Sequence, residues 1–130
     1  VIIVDASLAI EVAFATADGR RVQQRLRADG RPLGAPEIID LEVLQVLRRE
    51  VLRGGIDADQ AAEALEIFDA LPLERFSHQI VSRRIWSLRD NLTAYDGAYI
   101  ALAELLDAPL WTRDSKLRGV PGALAQVEIV

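Results

Sequence analysis

The 130-residue chain contains no cysteine and no methionine. Without cysteine there is no thiol nucleophile, no thiolate-bound zinc and no disulfide framework. Histidine is nearly absent too. His78 stands alone, so it has no second imidazole to build a soft-metal site, and it reads as a surface or structural residue. Aromatic residues make up 5% of the chain. Trp86 and Trp111 fall at apolar-periodic positions and read as core, while Tyr95 and Tyr99 share one helical face. No apolar run approaches the roughly 20 residues of a membrane span. The opening VIIVDAS has neither the basic start nor the long apolar centre of a signal peptide, so a cytoplasmic protein is expected. Glycines 30, 34, 54 and 55 are not followed by the Gly-Lys-Ser/Thr of a phosphate loop.

Lysine is as scarce as histidine: of the 15 basic residues only Lys116 is not arginine, and the net charge is −5. That balance excludes a binder that grips polyanions through bulk positive charge. Setting four acids aside for a metal site leaves acids and bases almost equal, however. Arginine is also the better bidentate phosphate ligand. A phosphodiesterase therefore stays within the charge constraints.

What is present is a regular interleaving of strand-like and helix-like segments. VIIV, residues 1–4, is a short β-branched run that reads as a buried strand. ASLAIEVAF follows as a helix, then DGRRVQQRLRADG as an exposed helix closed by Gly30. RPLGAP reads as a connector or edge strand. From Pro36, taken as a first-turn proline, the stretch PEIIDLEVLQVLRREVLRGG is the most apolar helix, with a stripe of Ile39, Val43, Val46 and Leu47. Ile38, Leu41 and Leu44 widen its apolar face beyond what one core contact needs. IDADQAAEALEIFDAL is the next helix, LERF a short strand, SHQIVSRRIWSLRDN a helix capped by Ser77, and TAYD opens a helix running to about Asp107. PLWT, DSKLRG and QVEIV read as strand, turn and final strand. With no Asn-Gly hairpin signal, the pattern predicts one α/β domain over residues 1–130, a mostly parallel sheet flanked by helices.

Four acids fall where such a sheet binds ligands, outside the carboxyl ends of strands, or where burial demands a partner. Asp5 directly follows the first strand and Asp114 follows PLWT with Arg113 between. Glu42 lies inside the apolar helix, where a carboxylate must be paired, hydrogen-bonded or metal-bound. Asp96 stands three residues after Thr93, so it reads both as the return partner of a capping box and as an acid aimed into a site. Asp5 and Asp114 carry the same double reading as helix caps. Asp40 and Glu37 are rivals whose place near a helix N-terminus already accounts for them. A carboxylate-only set suits hard cations, Mg²⁺ or Mn²⁺, and metal-assisted phosphodiester hydrolysis is the reaction class expected. Arg113 and Lys116, flanking Asp114, are candidate phosphate contacts.

In order and spacing, VIIVDAS, LEVLQVLRR and YDGAYIALAELLDAPLWTRDSKL resemble the PIN domain, and within it the bacterial VapC-type toxins, over essentially the whole chain. The resemblance implies a metal-dependent endoribonuclease that cuts single-stranded or structured RNA, such as loops of transfer or ribosomal RNA. It implies an acid cluster of Asp5, Glu42, Asp96 and Asp114, with Asp5, Asp96 and Asp114 holding the metal. Ser7 and Thr112 are implied as supporting hydroxyls. A VapB-type antitoxin is the implied partner, in a groove beside residues 38–52, with a homodimer or toxin–antitoxin hetero-oligomer as the implied assembly. Two positions depart from the pattern: Gln45 stands where Asn is frequent, and Gly97 where Ala is usual, a change expected to act on helix propensity. Two alternatives remain open: a PIN-fold module that binds without turnover, and a phospho-receiver domain, whose paired acids and late-strand lysine this sequence lacks.

Overall fold

The structure is a computed structural model describing residues 1–130. Five strands form one sheet: β1 (Ile2–Val4), β2 (Leu33–Pro36), β3 (Leu73–Phe76), β4 (Leu110–Thr112) and β5 (Val127–Ile129). Their order across the sheet is β3-β2-β1-β4-β5, and every neighbouring pair is parallel. Six helices connect them: α1 (Ala6–Ala13), α2 (Ala17–Asp29), α3 (Ile38–Leu52), α4 (Ala58–Asp69), α5 (Ser82–Ser87) and α6 (Ala94–Leu105). The expected parallel α/β layering is therefore what forms. The central order also differs from the 2-1-3-4-5 order of receiver domains, which removes that alternative.

The reversal of strand order lies between β1 and β4, where Ile3 pairs with Leu110 and Val4 with Trp111. Both strands are buried along their whole length, as expected where helices cover both faces. Helix α6 packs along β1, β2 and β4 with α5 against it, while α1 packs on α2, α3 and α4. Seven consecutive residues of α6, Gly97 to Ala103, are buried. Small alanines let this helix lie close to the sheet, and the α6 N-terminus comes to the end of the sheet where β1 and β4 finish.

Several elements differ from their sequence reading. RPLGAP is no edge: β2 sits between β1 and β3, and its four residues are all buried. The absence of β-branched residues conceals it, for a physical reason. A Cβ on Gly34 would lie 3.0 Å from the Phe76 ring and 3.2 Å from Ile3 Cδ1, so the strand can hold only a minimal side chain there. Pro36 ends this strand rather than starting a helix, and the next ladder bond is donated by the Glu37 amide to the Phe76 carbonyl. Residues 77–91 do not make one helix. Ser77 caps a 3₁₀ turn, His78–Val81, and Val81 (φ −115°, ψ 8°) separates it from the short α5. Trp86 is consequently not core but 68% exposed. Ile85 and Leu88 take the inward positions, and Arg89 stacks on the outward indole at 4.7 Å. Trp111 is buried as read.

Candidate functional site

Asp5 leaves the end of β1 and is only 5% exposed, so its carboxylate must find donors within the protein. It finds three. As the N-cap of α1 it accepts from the Leu8 amide (3.0 Å). Ser7 Oγ donates to both carboxylate oxygens (2.7 and 2.9 Å) and Thr112 Oγ1 donates to Oδ2 (2.6 Å). Each hydroxyl has one proton, and both point at Asp5, so the 3.2 Å approach of Ser7 Oγ to Thr112 Oγ1 is a contact between two donors already engaged. Behind them, the Arg113 amide donates to Ser7 Oγ and the Asp114 amide to Thr112 Oγ1 (3.0 and 2.9 Å). Two parallel relays thus run from backbone amide to hydroxyl to carboxylate, and each polarises the bond ahead of it. They tie the end of β4 to the start of α1 across the point of strand reversal.

The other acids arrive on separate elements. Glu42 sits one turn into α3 and accepts from the Tyr99 hydroxyl at 2.7 Å. Asp96 lies in the first turn of α6, where Thr93 caps the helix by accepting from the Asp96 amide (3.1 Å). The reciprocal bond of a capping box does not form there, in contrast to the complete box of Asp57 and Gln60, so the Asp96 carboxylate is not tied to the Thr93 amide. Asp114 follows β4 and accepts from the Lys116 amide (3.0 Å). All four acids, with Ser7, line a single cleft of about 910 Å³. Its other end is formed by α3 and carries Leu41, Leu44, Gln45, Arg48 and Arg49.

Burial is the first cause raising the Asp5, Glu42 and Asp96 carboxyls above their ordinary values. Their neighbours' negative charges push the same way: Asp114 on Asp5 and Asp96, and Asp96 and Asp5 on Glu42. The Thr112, Leu8 and Ser7 donors oppose the shift at Asp5, Tyr99 opposes it at Glu42, and Thr93 and then the Lys116 charge oppose it at Asp96. Protein cations do little to neutralise this cluster. As placed, no three of the acids stand close enough together to share one ion. In donor chemistry the set nevertheless fits a hard divalent cation: oxygen ligands only, several negative charges, and no competing Cys or His.

The other sequence candidates sort clearly. Asp40, a rival of Glu42, is bound to Arg75 of β3 at 2.8 Å. Arg113 turns its guanidinium away from the cleft, donating to the Val130 carbonyl (2.7 Å) and pairing with Asp18 (3.3 Å). Lys116 does not line the cleft wall, but its charge is felt at Asp96. Thr112 stands behind Asp5, fully buried. The two tyrosines part company: Tyr95 is 60% exposed at the cleft mouth, whereas Tyr99 is 1% exposed and serves Glu42. That Glu42–Tyr99 bond, between residues far apart in sequence, is the site feature the sequence did not give away. A tyrosine facing an acid only in three dimensions leaves no local spacing to read. Gly97 also has a role beyond propensity, since a Cβ there would meet Ile85 Cγ2 at 3.3 Å.

Residues 2–123 match the family model of the PIN domain. The chain is 37% identical over 129 residues to Ribonuclease VapC12 of Mycobacterium tuberculosis, covering 99% of this chain and 98% of that protein. It is 41% identical over 97 residues to Ribonuclease VapC1 of the same organism, covering 74% and 73%. In backbone shape it is similar to VapBC2 from Rickettsia felis, solved bound to a DNA fragment from its promoter. That match has TM-score 0.72, 16% identity, and coverage of 98% of this chain and 96% of the other. PAE2754 from Pyrobaculum aerophilum is similar as well, with TM-score 0.71, 20% identity, and coverage of 97% and 81%.

Proposed function

The chain belongs to the PIN domain family, and from that premise we propose that it is a divalent-metal-dependent endoribonuclease, the toxin of a VapBC-type toxin–antitoxin pair. The observation that carries this reading is the meeting of Asp5, Glu42, Asp96 and Asp114, from four separate elements, in one cleft at the point of strand reversal. Ribonuclease VapC12, one of the relatives named above, matches over nearly the whole chain. Asp5, Asp96 and Asp114 are the residues that would hold Mg²⁺ or Mn²⁺. Bound there, the cation supplies the positive charge that polarises a phosphoryl oxygen and makes an attacking water more acidic.

The protein's own groups do the rest. Ser7 and Thr112 keep Asp5 oriented, and their hydrogen bonds oppose the rise that burial imposes on its carboxyl. Asp96 sits at a helix N-terminus, whose partial positive charge favours the carboxylate form. Glu42, raised by burial and held by Tyr99 on one oxygen, is the carboxyl placed to take up the proton of the water. The RNA substrate would lie along the cleft, with transfer or ribosomal RNA loops as the target class and Lys116 beside the reacting end. The exposed Leu41 and Leu44 on α3, 63% and 45% accessible, support a VapB-type antitoxin helix as partner. Action in the cytoplasm, as a homodimer or a toxin–antitoxin hetero-oligomer, completes the proposal. No helix is long and apolar enough to cross a membrane.

Mapping of 5′ ends in total RNA incubated with the purified protein and Mg²⁺ or Mn²⁺ tests it. Discrete new ends are expected, absent with chelator and absent with Asp96→Asn. No new ends in free or ribosomal RNA would move the reading to a PIN-fold module that binds without cutting.

A further inference from the structure

The acidic cleft has a second end that differs in charge. Arg48 and Arg49 line it on α3, both are exposed, and neither guanidinium forms an ion pair or hydrogen bond with the protein. This sets them apart from most of the arginines. Arg21, Arg25, Arg31, Arg53, Arg75, Arg84 and Arg113 are each bound to a carboxylate, and Arg89 lies on the Trp86 ring. The contrast holds over the last turns of α3 and its C-cap, where Arg53 is held by Glu50 while Arg48 and Arg49 are left free.

Glu42 and Arg49 are seven residues apart on the same helix, two turns, so they fall on one face roughly 10 Å apart along the axis. Arg48 is offset from that line toward Leu41 and Leu44, and Gln45, exposed, lies between the acids and the arginines. A polyanionic strand whose reacting phosphate lies among the carboxylates would therefore carry its neighbouring phosphates past free guanidinium groups. Repulsion from the acids would be compensated next to the cut instead of over the whole, acidic surface. Planar guanidinium forks match phosphate oxygens in pairs.

We propose that Arg48 and Arg49 form a phosphate-binding subsite for the RNA backbone flanking the scissile bond. This rests on the ribonuclease reading above. The subsite fixes the strand's register along α3 and carries no base information of its own.

The test uses the full chain and an RNA oligonucleotide spanning the mapped cut. Binding is measured against salt concentration in Asp96→Asn protein, with and without Arg48→Ala and Arg49→Ala. Each lost phosphate contact on a single strand removes about 0.7 from the slope of log K against log salt, so the double replacement is expected to lower that slope by about 1.4. In otherwise unaltered protein the same pair should raise KM several-fold more than it lowers kcat. Arg48→Lys with Arg49→Lys, which keeps the charges, should restore most of the slope. Both side chains are exposed, so melting temperature should stay within a few degrees and exclude misfolding as the cause. An unchanged slope with an unchanged KM, in protein that still cuts RNA, overturns the subsite alone and leaves the two arginines to a protein partner. Failure of the unaltered protein to cut any RNA overturns the subsite together with the ribonuclease reading.

Discussion

Tyr99 is the residue on which Glu42 depends most directly. Its hydroxyl donates to Glu42 from a buried position. Burial first, and then the Glu42 charge, push the phenol far above its ordinary value, so it is a donor at any working pH. Tyr99→Phe keeps the ring and removes that bond, together with the weaker approach of the Ala6 amide to the hydroxyl. The expected cost is about 1 kcal/mol in denaturant unfolding with an unchanged m-value. Because the Tyr99 bond lowers the Glu42 carboxyl, its loss moves the acid limb of the cleavage pH profile upward. A profile that stays in place would show that Glu42 is not the group that takes up the proton. Asp5, Asp96 and Asp114 were legible in the sequence because each stands within two residues of a strand end or in the first turn of a helix, where position alone restricts its role. Trp86 misled because an apolar period over residues 77–91 assumed a continuous helix, and Val81 breaks the phase.

At the scale of elements, the packing of α2 on α1 turns on Gly19. It is buried, and a Cβ added there would overlap the Glu11 carbonyl oxygen of α1. The obstacle is backbone and cannot swing aside. Gly19→Ala, which in an exposed helix would raise propensity, should here lower stability by about 1–3 kcal/mol; equilibrium unfolding decides it, and a stabilised variant would refute the close approach. Helix α6 and strand β1 were visible in the sequence through a long apolar run and a β-branched one. Strand β2 was legible only as a connector or an edge, because Leu-Gly-Ala-Pro has none of the residues that favour a buried strand. Its place inside the sheet is set by what Ile3 and Phe76 leave room for, which is information held by other elements.

For the whole molecule, the acid cluster sets stability against function. A carboxyl whose pKa is higher in the fold than in the unfolded chain binds its proton more tightly in the fold. It therefore supports the fold at low pH and withdraws that support as pH rises past its unfolded value. Asp5, Glu42 and Asp96 are all raised, from ordinary values of 3.8, 4.5 and 3.8. Their contribution to the melting temperature of metal-free protein should thus fall from about pH 4 toward neutrality. Asp96→Asn should flatten the trend and melt higher at pH 7 while cutting nothing. Adding Mg²⁺ or Mn²⁺ should raise the melting temperature at pH 7 by mass action, less so in Asp114→Asn. A metal-free melting temperature that Asp96→Asn leaves unmoved at every pH would show that the cluster's repulsion is already relieved.

The two amides that stand behind Asp5 give the site its own reporters. The Arg113 and Asp114 N–H groups point at Ser7 and Thr112, and those hydroxyls point at the carboxylate. Whatever changes the charge on Asp5 must change how strongly both hydroxyls pull on their amides. In a nuclear magnetic resonance titration, the 113 and 114 backbone signals would therefore shift together as the acid cluster gains a proton, an ion or a partner's basic side chain. Filling of the cleft would be visible from the two residues that follow β4, without a label and without waiting for any bond to break.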